Sequence, residues 1–86
     1  MHETSLIEFT LNAVEQKAGS LGIGRVACIH LVAGEERGIV EDLMDRAFEL
    51  LASQRPIFDR CRLDIEIVPG DALFIDSFEA GEEETT

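Results

Sequence analysis

Apolar residues change their spacing along this chain in a fixed order, and that order restricts the fold more than any other feature of the sequence. Ile7, Leu11, Val14, Ala18 and Leu21 recur at helical spacing, with Glu8, Asn12, Glu15 and Gln16 on the opposite side. The segment from Arg25 to Ala33 is aliphatic and β-branched, as a strand should be. Val40, Leu43, Met44, Ala47 and Leu51 return to helical spacing over about Val40 to Ser53. Leu63, Ile65 and Ile67 then alternate with Asp64 and Glu66, and Ala72 to Phe78 alternates again. Helix, strand, helix, strand, strand in 86 residues leaves room for one core only. The expected fold is α/β in the two-layer α+β sense, with two helices on one face of a three-stranded mixed sheet.

The punctuation between these stretches agrees with that order. Ser5-Leu6-Ile7-Glu8 has the form of a capping box and would start the first helix near residue 5. The glycines of Gly19-Ser20-Leu21-Gly22-Ile23-Gly24 end it. Gly34-Glu35-Glu36-Arg37-Gly38 turns the chain, Glu41 and Asp42 suit the positive end of the second helix, and Pro56 stops its continuation. Pro69-Gly70-Asp71 predicts a turn that joins the last two strands as a hairpin. Residues 1–79 form one domain in this reading, and 80–86, with Glu82-Glu83-Glu84 and Thr85-Thr86, form an acidic disordered tail. Alternation puts His30, Val32, Val68, Phe74 and Phe78 on the sheet face that two helices leave uncovered. Such a face is either ordinary surface or a contact for a second copy or a partner.

Charge and motif content exclude several functions. A net charge of −11 is unsuited to nucleic acid or an anionic membrane, and no window has the length of a membrane span or a secretory leader. The cytoplasm is the expected compartment. Cys28 and Cys61 stand apart with no C-x-x-C, so they predict buried reduced thiols rather than a zinc or redox motif. No phosphate-binding loop follows a strand, and no serine, histidine and acid fall into a readable catalytic pattern. The chain is expected not to be an enzyme. His30, on a half-exposed strand face, should pair with a carboxylate, and Glu66 is the candidate.

The amino terminus is where chemistry is concentrated. Met1-His2-Glu3 offers the terminal amine, two backbone nitrogens and the His2 imidazole to one centre. A nearly planar set of nitrogen donors suits Ni(II) or Cu(II) better than zinc. It requires deprotonated amides, so uptake should strengthen as pH rises. A terminal histidine is otherwise an ordinary solvated residue. A first helix of about 25 Å returning to feed the first strand would bring its amino end near that strand's far end. His30, Glu35 or Glu36 could then approach His2, with His30 as an additional ligand.

Met1-His2-Glu3 followed by Ser5-Leu6, Arg25-Val26 with Ile29-His30-Leu31, Gly34-Glu35 with Gly38, Ala47-Phe48-Glu49, and Ile65-Glu66-Ile67-Val68-Pro69 together resemble the HypA/HybF nickel metallochaperones of nickel-iron hydrogenase maturation. The resemblance runs over nearly the whole chain. It implies an α/β nickel-binding domain in which Met1, His2 and Glu3 hold Ni(II), delivered to the hydrogenase large subunit with a maturation GTPase. Family members also insert a zinc domain with paired C-x-x-C motifs after the strand ending in Val-Pro. Here Val68-Pro69-Gly70 leads directly into a segment similar to the returning strand, so no zinc is expected. The alternatives are a metal-free docking module for a hydrogenase subunit or maturation factor, and a small homodimer.

Overall fold

The computed structural model describes residues 3–82. In chain order the elements are α1 (Glu3–Ser20), β1 (Val26–Gly34), α2 (Glu41–Ala52), β2 (Arg62–Val68) and β3 (Leu73–Ala80), with short 3-10 turns at Glu35–Arg37 and Pro56–Phe58. Two helices pack against one face of a three-stranded mixed sheet, as the periodicity implies. The sheet order is β2-β1-β3, with β1 parallel to β2 and antiparallel to β3.

The expected hairpin between the last two strands does not form. β3 pairs with β1 instead, and residues between Val68 and Leu73 cross over the end of the central strand. The strands' own sequences explain the choice. β1, Val-Ala-Cys-Ile-His-Leu-Val-Ala-Gly, carries no carboxylate and is buried along most of its length, whereas β2 and β3 alternate with acidic residues and sit at the edges. The crossing spans two strand spacings, about 9.6 Å. Four extended residues reach roughly 13 Å, so the connection is just long enough. It is tied down by the Glu36 N–H donating to the Gly70 carbonyl at 2.9 Å and by the Gly34 N–H donating to Ala72. Gly34 has to be glycine here: a Cβ would lie against the Gly70 carbonyl and 2.7 Å from the Ala72 nitrogen.

Helix α1 starts at Glu3, two residues before the anticipated capping box, so Ser5 lies within the helix and does not cap it. Its other end closes as a Schellman motif. Gly22, at φ 72°, lets the Ile23 N–H reach the Ala18 carbonyl at 2.9 Å while its own N–H donates to Gly19 at 3.2 Å. Ile23 then packs on the core. Leu21, counted in the apolar face from its spacing, lies beyond the helix and is exposed. In α2 the buried stripe is Met44, Phe48 and Ala52, while Val40 and Leu43 face solvent. The core joins Ile7, Leu11, Val14 and Ala18 of α1 to Val26, Ile29 and Leu31 of β1, with Met44, Phe48 and Phe58 closing it. Buried Thr10 is satisfied by donating to the Leu6 carbonyl at 2.8 Å.

A bulge in β3 corrects one further expectation. Between the Leu31–Ile75 and His30–Ser77 pairs the register shifts, leaving Asp76 unpaired and placing Phe78 opposite Ile29. Phe78 therefore packs on the helix side with Leu73 and Ile75, not on the open face. Phe74, opposite Val32, stays there and is half exposed.

Candidate metal centre

Of the residues singled out at the chain start, Met1 and His2 lie outside the described residues, and Glu3 is the first residue of α1. The first amides of a helix have no partner within it. The nitrogen of Glu3 is thus free of the α1 hydrogen-bond ladder. α1 runs alongside β3, so its amino end lies at the end of the sheet where β1 finishes; Leu6 and Phe9 share a shallow apolar cleft there with Leu31, Leu73 and Ile75. Glu35 and Glu36 follow β1 at that same end. This is the arrangement anticipated from helix length.

His30 is built into a different place. It projects from the sheet face opposite the helices, where three strands contribute to its surroundings. Its Nδ1 lies 3.0 Å from Asp64 Oδ2 on β2, and its Nε2 lies 2.5 Å from Glu79 Oε2 on β3. Glu66, the anticipated partner, stands opposite Val32, two register positions further along the strands. Asp64 is the direct register partner of His30 on β2. Glu79 could not be foreseen from a hairpin, because that pairing would have put β3 on the wrong side of β2. The hydrogen bond to Glu79 is the largest influence on the imidazole, followed by that to Asp64, and together they raise its pKa above the ordinary 6.5.

Cys28 completes the group. It is two residues from His30 on the same face of β1 and stands opposite Glu79 on β3. A sulfur, an imidazole nitrogen and a carboxylate oxygen of Cys28, His30 and Glu79 lie within 4.8 Å of one another. Burial is the main cause that pushes the Cys28 thiol up, with Arg62 opposing it. Both cysteines are free; Cys61 is half-buried and its pKa is pushed up to about 11, chiefly by burial. The sequence signal for this cluster was the Cys28-x-His30 spacing on one strand, which puts two donors on one face but does not name the third.

Residues 1–74 match the family model described as HypA, hydrogenase/urease nickel incorporation metallochaperone. The chain belongs to the HypA family. A hydrogenase maturation factor HypA of Dehalococcoides mccartyi is 30% identical to it over 115 positions, covering 96% of this chain and 97% of the relative. The corresponding factor of Roseiflexus is 35% identical over 69 residues, covering 80% of this chain and 55% of its own. In fold, the chain superposes on the solution structure of the nickel metallochaperone HypA from Helicobacter pylori with a TM-score of 0.73 at 19% identity, over 90% of this chain and 72% of that one.

HypA proteins are nickel metallochaperones and maturation factors, not enzymes, so the site to seek is a set of metal donors and not a catalytic group. The match to the Dehalococcoides HypA extends over more positions than the 86 residues of this chain, so that relative fills positions with no counterpart here. In this HypA-family chain β2 passes to β3 through residues 69–72 alone. Among the described residues no helix is long and apolar enough to cross a membrane.

Proposed function

We propose that this chain takes up Ni(II) through Met1, His2 and Glu3 and delivers it, with a maturation GTPase, to the large subunit of a nickel-iron hydrogenase in the cytoplasm. The observation that carries the reading is the start of α1 at Glu3 in a chain whose family match begins at residue 1. Helix geometry leaves the first amides unpaired, so their nitrogens can lose protons to a metal without breaking any helical bond. Two deprotonated amides beside Ni(II) make a neutral centre, which the positive end of the helix dipole does not repel. Leu6, Ile7 and Leu11 are buried, so the first turns of α1 are anchored on the core. The two free cysteines suit a reducing compartment.

The test is a Ni(II) titration of three proteins: the native start, His2→Ala, and a version with residues added before Met1. The native protein should take up one equivalent and develop the visible band of planar nickel, more strongly as pH rises. The other two should not. Equal weak uptake by all three would reject the terminal site and leave a metal-free docking module as the reading.

A further inference from the structure

We propose that the open face of the sheet carries a second metal site, in which Cys28 Sγ, His30 Nε2 and Glu79 take a divalent ion of tetrahedral preference such as zinc. The site goes beyond the terminal nickel reading and is independent of it. Its donors lie within 4.8 Å of one another before any ion is considered, and they come from two neighbouring strands held in register. One sulfur, one imidazole nitrogen and one carboxylate oxygen suit zinc or cobalt, whereas planar nitrogen donors at the chain start suit nickel.

The surroundings of His30 match what a metal-bound histidine needs. Asp64 holds Nδ1 at 3.0 Å, so the Nδ1–H can be donated to that carboxylate and the Nε2 lone pair turned toward Cys28 and Glu79. Asp64 is therefore a positioning residue and not a ligand. Without metal, the same atoms form a strand-bridging ion pair, and Cys28 is its buried neighbour. On binding, the ion replaces the proton held between His30 Nε2 and Glu79, and that proton and the thiol proton of Cys28 are both released to solvent. Three protein ligands leave a fourth position for water or for a donor from another molecule.

The experiment uses the full chain carrying His2→Ala, so that terminal nickel chemistry plays no part, titrated with Co(II) under reducing conditions. The expected result is one equivalent bound, with a thiolate-to-cobalt charge-transfer band and intense tetrahedral ligand-field bands, both removed by added Zn(II). Cys28→Ser should abolish the charge-transfer band, and Cys61→Ser should leave it. His30→Ala and Glu79→Gln, which alter solvent-facing side chains and spare the core, should each weaken binding roughly tenfold or more, and Asp64→Asn by a similar factor. The site is refuted by the absence of a charge-transfer band at one equivalent, by a band that follows Cys61, or by unchanged affinity in both His30→Ala and Glu79→Gln. Because the His2→Ala background is common to every sample, failure here says nothing about the terminal site.

Discussion

Replacing Gly34 by alanine should be among the most damaging single-methyl additions in this chain, although its backbone angles, φ −72° and ψ 140°, suit any residue. The cause is steric. The added Cβ would lie against the Gly70 carbonyl oxygen, 2.6 Å from the Gly70 carbonyl carbon and 2.7 Å from the Ala72 nitrogen, all backbone atoms. Ordinary contacts need roughly 3.5 Å or more, so the connection would have to lift by about 1 Å. That movement stretches the Glu36 to Gly70 hydrogen bond, 2.9 Å in the native protein, beyond bonding range, and strains the bond from Gly34 to Ala72. Two such bonds contribute about 1–3 kcal/mol, and overpacking adds about 1–3 kcal/mol, for an expected loss of about 2–6 kcal/mol. With a urea dependence of about 1 kcal/mol/M for a domain of this size, the unfolding midpoint should fall by about 2 M or more. Hydrogen exchange at the Glu36 amide should accelerate with it. A midpoint shift below about 0.5 M at unchanged slope would refute the argument that the crossing connection presses on the end of β1.

Gly19→Ala is the natural contrast: it is exposed within α1 with no heavy atom near the new methyl, and should stabilise by about 0.5–1 kcal/mol in the same urea assay. Ile29→Ala, at a fully buried position on the central strand, should cost about 2–5 kcal/mol. In metal-free protein His30 has a folded pKa above its ordinary 6.5, so its contribution is complete below about pH 6.5 and is lost as pH rises through the folded value. The denaturation midpoint of the native protein, relative to His30→Gln, should therefore decline above pH 6.5; a constant difference across that window would contradict the ion pairs. The Cys61 thiol, raised from 9.0 to about 11, should alkylate about 100-fold more slowly at pH 8 than a free peptide thiol, and at the full rate in denaturant.

Spacing alone was enough to place both helices and all three strands, because helical and alternating apolar patterns are local properties that each segment carries in its own side chains. The nickel donors proposed at Met1-His2-Glu3 are neighbours in the sequence, so naming them calls on no long-range pairing. Strand order was not legible in this way. Pro69-Gly70-Asp71 has the composition of a tight turn, and nothing local distinguishes a turn between neighbours from one that steps over a third strand. That choice was settled by the demand of carboxylate-free β1 to be covered on both edges, a competition among all three strands at once. The bulge at Asp76 then turned Phe78 to the core, and the resulting register set Glu79 opposite Cys28 and beside His30. A cluster drawn from residues 28, 30, 64 and 79 exists only after long-range pairing has been chosen, which is why the sequence held its donors in plain view and tertiary structure alone assembled them.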